Sequence, residues 1–531
     1  MKQVCYKFLV LAFISILTAS CSKDNEEPQD PNNNNDRLPT VTLEQPGQVT
    51  SISATFQANV TDNGVGQVSQ RGLCWSTSSS PTTANSSLSL GNGTGIYNGE
   101  IAGLNDNTTY YVRAYASNNY GTAYSNEVSF TTPELGTGGV FNGDVVLRTQ
   151  DEVDDFGAQN YCCITGDLEI RTSSVSTDPP IVDITPLSSL TEVGINLIIS
   201  QNPNLESLNG LHNLETVGFG VYITDNGPLT SCAGLSSLSS ARLLDVVGND
   251  NLENLDGLEG LSDLEYDLNI NFNPVITNID GVQNITSVGG DLIVMHNESL
   301  PNVDGLSGIT SVGKDVRFSS NFDLDNIDGL SNLVTIGRDL LISYNEELTQ
   351  LNGFNALTSV GTEIEIRDNF SLNEMNGFNS LTQVNDLLKI HANFNLSSLN
   401  GFNSLENVDG DFELSGSGAL TIQGFSSLTN VSNNFELSNS ELLTDASGFS
   451  SLSTVGGYVA VSNCFDLLDL DDFSGLTSVG GSMGVTDNFL MTDFCGIESL
   501  IVNGGLIGPF TASGNAYNPT TQNILDGDCS L

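Results

Sequence analysis

The sequence predicts an all-β chain in which a small β-sandwich precedes a long parallel β-helix closed by short capping helices. Three observations predict it. Glycine is abundant, 54 of 531 residues, while only 15% of residues are charged against 38% hydrophobic, a turn-rich rather than a disordered balance. Residues 39–134 alternate apolar and polar positions between turn signals, as half-buried strands do. From about residue 165 one unit recurs every 23 or 24 residues, the mark of a solenoid.

The N-terminus reads as an export signal. Lys2 and Lys7 flank the start of an apolar run from Phe8 to Leu17, and the small residues Thr18, Ala19 and Ser20 precede Cys21. Ten residues span only ~15 Å as a helix, about half of a bilayer core, so the segment suits an export channel and not a membrane span. Thr18-Ala19-Ser20-Cys21 resembles a bacterial lipobox, with Thr18 where that motif prefers leucine. The resemblance implies loss of residues 1–20, acylation of Cys21, and membrane attachment through that lipid alone. Residues 21–38 then form an acidic tether. Ser22-Lys23-Asp24-Asn25-Glu26-Glu27-Pro28 is similar to the signal that sends some lipoproteins to the outer face of the outer membrane, and 24–36 offers nothing to bury. The expected location is the outer membrane, lipid-anchored and exposed at the cell surface.

Charge narrows the partners. Acids number 64 and bases 14, and losing Lys2 and Lys7 takes the net charge from -50 to -52, which repels nucleic acid and anionic lipid. Nine cysteines fall to seven once Cys5 leaves with the signal and Cys21 is acylated. Cys162 with Cys163, and Cys495 with Cys529, lie near the two ends of the large domain, where disulfides would staple the caps in an oxidising compartment. Cys74 belongs in the sandwich core, and no pair has the spacing of a zinc site.

Within 39–134, the stretches 53–60 (SATFQANV) and 71–76 (RGLCWS) alternate as strands. The stretch 104–115 (LNDNTTYYVRAY) puts Leu104 and Tyr110 at the spacing of a tyrosine corner, and 127–133 (EVSFTTP) reads as a closing strand. These residues resemble a fibronectin type III domain. The resemblance implies a β-sandwich and, commonly, a spacer.

The large domain, 140–531, is built on its repeat. One glycine recurs from Gly210, Gly234 and Gly257 through Gly448. Eight residues earlier stand Asn202, Asn226, Asn249, Asn273, Asn297, Asn321, Asn345, Asn369 and Asn393, after which Gly416, Ser440 and Cys464 interrupt the series and Asn488 resumes it. Five residues before each Asn begins an apolar-x-apolar triplet such as Leu292-Ile293-Val294, so the unit reads LxLxxN. Stacked in parallel, such triplets pair their backbones with the turns above and below and bury their apolar side chains. The Asn satisfies its amide at the tight turn, and the glycine marks a corner needing positive φ or close backbone approach. The fuller unit, Leu300-Pro301-Asn302-Val303-Asp304-Gly305-Leu306 followed by Val312-Gly313, resembles the receptor L-domain, a relative of leucine-rich repeats. That resemblance implies a right-handed β-helix. Triplet starts from 168 to 510 predict fifteen turns, about 70 Å at ~4.8 Å each. Thr149-Gln150-Asp151-Glu152 reads as a capping box with Gly157 as its stop, and Asn518-Pro519 with Gly527 brackets a helix at the far end.

Chemistry finds little purchase. Gly480-Gly481-Ser482-Met483-Gly484 matches a hydrolase nucleophile pattern, but Ser482 takes the repeat slot of Asp291 ahead of a strand, where a sharp strand-to-helix turn is required. His212, His296 and His391 lack metal-ligand spacing, and His296 and His391, at the asparagine corners, read as surface residues. A β-helix polysaccharide lyase or hydrolase needs long cleft-forming insertions, whereas units 202–496 vary by one residue. No enzyme activity and no cofactor are expected. The aspartates Asp256, Asp280, Asp304 and Asp328 stack in one slot, which either faces solvent or collects a cation such as calcium. Asn352, Asn376 and Asn400 continue that slot, which favours a plain turn position.

The middle residues of the triplets face outward and give the expected binding sheet: Ile293, Arg317, Leu341, Glu365 and Lys389, with Arg367 beside them. Alternating Glu365, Lys389 and Glu413 also fits a cross-strand charge ladder. The function expected is non-enzymatic adhesion to, or binding of, a surface protein or polysaccharide through this face. The alternative is a glycan-capture accessory of a polysaccharide uptake system, which would show aromatic side chains in line along the solenoid. Phe322, Phe370 and Phe394 are its only candidates, and the sequence leaves their exposure open.

Overall fold

The computed structural model describes residues 37–47, 49, 53–105, 107–132, 138–175 and 177–531. The export signal, Cys21 and nearly all of the tether lie outside the described residues. The chain divides into two units, 1–134 and 135–531, and among the described residues no helix is long and apolar enough to cross a membrane.

In the first unit, alternation makes two antiparallel sheets around one apolar core. Thr40–Leu43, Ser53–Asp62 and Gly95–Ala102 form one sheet; Gln70–Ser76, Ser86–Ser89, Thr109–Asn118, Gly121–Tyr124 and Val128–Thr131 form the other. Phe56, Leu73, Val112 and Phe130 meet between them. The Tyr110 hydroxyl accepts the Asn105 N–H at 2.9 Å, which ties the start of its strand to the preceding loop. Cys74 is buried, and burial pushes its thiol up to about 11.

The second unit is a parallel β-solenoid whose main sheet has sixteen strands, from Val145–Leu147 to Phe510–Ser513. That is one turn more than the fifteen expected. Val145–Leu147 pairs with Leu168–Ile170, but the capping helix Gln150–Gly157 fills the place of its corner, so the turn carries no asparagine to betray it. Within a turn the inward residues follow a three-residue rhythm after the strand: Leu292, Val294, Asn297, Leu300, Val303, Leu306, Ile309 and Val312 are all buried. Gly305 is required by crowding, since a Cβ there would stand 2.1 Å from the Ile279 carbonyl oxygen of the previous turn. At Gly257 the left-handed φ of 106° adds a second reason.

The Asp/Asn slot marks a change of wall. Asp280–Val282, Asp304–Leu306 and Asp328–Leu330 are 3-10 turns, whereas the turns of Asn352, Asn376 and Asn400 run beside short paired strands, Gln350–Leu351, Glu374–Met375 and Ser398–Leu399. The same turns exchange Leu306 and Leu330 for Phe354, Phe378 and Phe402, whose rings stack at 5.1 and 4.6 Å.

The corner asparagines form a continuous buried ladder. Asn321 Oδ1 accepts the backbone N–H of Asn297 at 3.1 Å, and Asn321 Nδ2 donates to the Val294 carbonyl at 2.9 Å. The pattern repeats from Asn202 to Asn393, all at 1% exposure or less. It works because the preceding residue is left-handed in turn after turn, as at Asp225, Phe272, His296, Tyr344 and Asp368. Geometry also corrects the register of the break: Gly416 has φ 63° and holds this preceding place, so Ser417 occupies the asparagine slot. The expected counting failed there because a deletion shortens that unit to 23 residues beyond the strand.

The ends are closed as the capping signals suggest, with adjusted details. The Thr149 side chain accepts from the Glu152 N–H, and Gly157 is the last helical residue with Ala158 as the cap. At the far end Thr520, not Asn518, caps the helix Thr521–Leu525, while Asn518 Oδ1 accepts the Asn515 N–H to finish the ladder. Cys495 and Cys529 are disulfide-bonded. Cys162 and Cys163 are not: the Cys162 thiol donates to the Gly139 carbonyl and the Cys163 thiol lies by Thr191 Oγ1. Adjacent Cα atoms stand closer, at about 3.8 Å, than a disulfide usually spans.

Replacing Asn321 with Ala strands the Asn297 N–H in a dry interior, at about 1–3 kcal/mol for the orphaned group. Urea denaturation is expected to show that loss, with the exposed Asn332→Ala staying within about 0.5 kcal/mol of the parent.

Candidate functional site

Every outward feature of the solenoid is set by the two corners that bracket each main strand. On the strand itself, residues 293, 317, 341, 365 and 389 stand side by side in register, as expected, each half-buried. Their charges are spent on one another. Arg317 reaches Asp315 at 2.7 Å, and Arg338 reaches the same carboxylate at 3.0 Å. Lys389 contacts Glu413 at 2.6 Å, and this partner holds its ammonium above the ordinary lysine value. Arg367 contacts Asp368 at 2.9 Å and Glu365 at 3.4 Å, its guanidinium 4.8 Å above the Tyr344 ring. His391 lies 3.3 Å from Glu365. The sheet brings all these residues together, but as a balanced charge ladder and not as a free basic patch.

The corner before each strand holds a second ladder that pattern reading passed over. Asp267 Oδ1 accepts the Asp291 N–H at 2.7 Å, Asp291 Oδ1 that of Asp315 at 3.0 Å, and Asp315 Oδ1 that of Asp339 at 3.3 Å. Its signal in the sequence is an aspartate every 24 residues ahead of the triplets, from Asp267 to Asp339. Asp256, Asp280, Asp304 and Asp328 are exposed, each with its N–H donating to the asparagine two residues before, as at Asn302 to Asp304. Among the described residues no group of three His, Cys, Asp or Glu could hold a metal ion.

The corner after each strand is the part that stands out. With the asparagine turned inward, its neighbours on both sides are turned outward. Phe322, Phe370, Phe394 and Phe489 follow corner residues, and Phe272 and Tyr344 precede them, all between 39% and 61% exposed. Leu442 and Leu490 extend the row. Phe322, Phe370 and Phe394 are therefore exposed and are joined by other aromatics. Phe465 and Phe489 stack at 4.7 Å, and Phe272 stacks on His296 at 4.3 Å.

The groups singled out for catalysis stay apart. Ser482 precedes the strand Met483–Thr486, which leads on to the ladder residue Asn488 with no helix between. His212 lies beside Asn213 on the surface. Burial pushes the Cys232 and Cys464 thiols up to about 12, far from a reactive thiolate.

No protein family and no curated protein matches this chain. Among solved structures, two of the sensor domain of an anti-sigma factor from Pseudobacteroides cellulosolvens are similar to 18% of it, at 23% and 20% identity, covering 96% and 76% of those chains. Both have a TM-score of 0.15.

Asp245 gives this surface a measurable pH response. Burial, opposed by the Asn269 amide at 2.8 Å and reinforced by Asp267, raises its pKa. A raised folded pKa means stability that is complete below the unfolded value of about 3.9 and is lost as pH rises through the folded one. Asp245→Asn is expected to raise the denaturation midpoint at pH 7 and to lose that advantage near pH 3, measured by urea titration at both.

Proposed function

We propose that this chain is a non-enzymatic cell-surface lipoprotein that captures an extended, uncharged polysaccharide along the asparagine corner of its solenoid. The observation that carries the reading is the row of exposed phenylalanines at that corner. Water-facing aromatic rings in line are costly to leave bare and mark an interaction surface. Successive turns rise ~4.8 Å, close to the rise of one sugar in an extended chain, so rings on Phe370 and Phe394 meet neighbouring residues of a glycan lying along the axis. Neutrality follows from charge: the bases are already paired with acids on the sheet, and an anionic glycan would meet a strongly acidic protein.

The rest of the chain supports display. Acylated Cys21 and the acidic tether anchor it to the outer membrane, and the sandwich, read as fibronectin type III-like from its tyrosine tie, acts as a spacer. The solenoid is read as receptor L-domain-like. In this reading no metal takes part; the Asp256, Asp280, Asp304 and Asp328 row serves its turns. The sheet-face reading, adhesion to a protein through Ile293, Arg317, Leu341, Glu365, Arg367 and Lys389, is the competitor.

Affinity electrophoresis through neutral glucans and xylans, beside alginate and pectate, separates them. Retardation is expected in a neutral gel, and the double variant Phe370→Ala/Phe394→Ala is expected to weaken it roughly five- to thirty-fold, about 1–2 kcal/mol of ring contact. Arg317→Ala/Lys389→Ala should leave it unchanged. The reverse pattern, or retention only by protein ligands, would move the function to the sheet face.

A further inference from the structure

Near the N-terminal end of the same corner the row opens into a trough of about 360 Å³, lined by Asp225, Gly227, Gly248, Asp250, Phe272, Pro274, His296 and Glu298. Sequence makes the opening. Gly227 and Gly248 stand where neighbouring turns carry side chains, and a Cβ on Gly248 would lie 2.6 Å from Asp225 Oδ1. Glycine there leaves room for the Asp225 carboxylate. One wall is the Phe272–His296 pair, stacked at 4.3 Å with the rings only 8° from parallel. Phe272 is half exposed. The rim is acidic: Asp225, Asp250 and Glu298 are exposed, and among the described residues their carboxylates have no ion-pair partner. Between Arg171 and Lys314 the sequence holds a single lysine or arginine, Arg242. That residue is committed elsewhere, paired with Glu265 beside the Phe219 and Tyr266 rings at the opposite corner.

We propose that this trough is a binding site for an amino sugar, a hexose carrying a protonated amine. A flat aromatic wall offers a stacking surface for the apolar face of a sugar ring. Three carboxylates and a ring face offer complementary charge to an ammonium, the ion pair and the cation–π contact acting together. The volume lies at the low end of small-ligand sites and suits a saccharide unit better than a folded surface. A lysine side chain carries the same charge but only a thin stem, which leaves the ring wall uncovered. The site stands apart from Phe370 and Phe394 and does not depend on them, so its failure and that of the neutral-glycan reading are separately visible.

The test is calorimetric titration of the intact chain with three probes: a β-linked glucosamine tetrasaccharide, its fully N-acetylated counterpart, and tetralysine. The amino tetrasaccharide is expected to bind about tenfold more tightly than either of the others, the preference falling as salt rises. Phe272→Ala, and separately the charge-neutral triple variant Asp225→Asn/Asp250→Asn/Glu298→Gln, are each expected to weaken it by about fivefold or more. Their melting temperatures should match the parent, since all four residues stand at the surface, and Phe394→Ala should leave this binding intact. Equal binding of the acetylated sugar would overturn the role of the ammonium. Tetralysine binding as tightly, and indifferent to Phe272→Ala, would reduce the site to a plain acidic patch and overturn the proposal.

Discussion

The hydrogen-bond ladder of buried corner asparagines is the constraint on which the rest depends. A chain that turns sharply after each strand must leave backbone groups pointing into a dry interior, where unpaired groups are expensive. A primary amide answers both needs at once, accepting an N–H and donating to a carbonyl of the preceding turn. Asn297 does this with the Asn273 N–H and the Ile270 carbonyl, and Asn321 with the Asn297 N–H and the Val294 carbonyl. The geometry holds only if the preceding residue is left-handed, as at His296 and Ser320. Such a residue cannot turn its side chain inward beside the amide. The interaction that stabilises the corner therefore also decides which side chains it displays.

Charge is organised by the same logic on the opposite corner. There the aspartates Asp267, Asp291, Asp315 and Asp339 accept backbone N–H groups in succession, which brings like charges into a row. The few bases of the solenoid answer that row: Arg317 and Arg338 converge on Asp315, whose side chain is only 2% exposed. A carboxylate buried to that degree needs a partner. The strand face is thus occupied with balancing its own charge, and the uncommitted surface lies at the asparagine corner.

Much of this was legible because a solenoid writes its structure along the sequence. The glycine period, the LxLxxN triplet and the cap signals gave the parallel sheet, its inward face and its closed ends, since each depends on residues within one unit. What was hidden depended on something between units. The first turn, at Val145–Leu147, escaped because a helix replaces its corner. The Cys162–Cys163 pairing failed because adjacent Cα atoms stand closer than a disulfide usually spans. The exposure of Phe322, Phe370 and Phe394 could not be read from composition, because a phenylalanine four places earlier in the same turn, Phe318, is fully buried. Only the corner geometry distinguishes the two.

The most direct test of the claim that the fold-making corner is also the ligand-facing corner is hydroxyl-radical footprinting of the intact chain with and without a saturating neutral polysaccharide. Reactive side chains stand on both surfaces: Phe322, Phe370, Phe394 and Phe489 at the corner, Met295 and Leu341 on the strand face. The account predicts that bound polysaccharide shields the phenylalanines and leaves Met295 and Leu341 as reactive as before. Shielding of Met295 and Leu341 with the phenylalanines unchanged would contradict it.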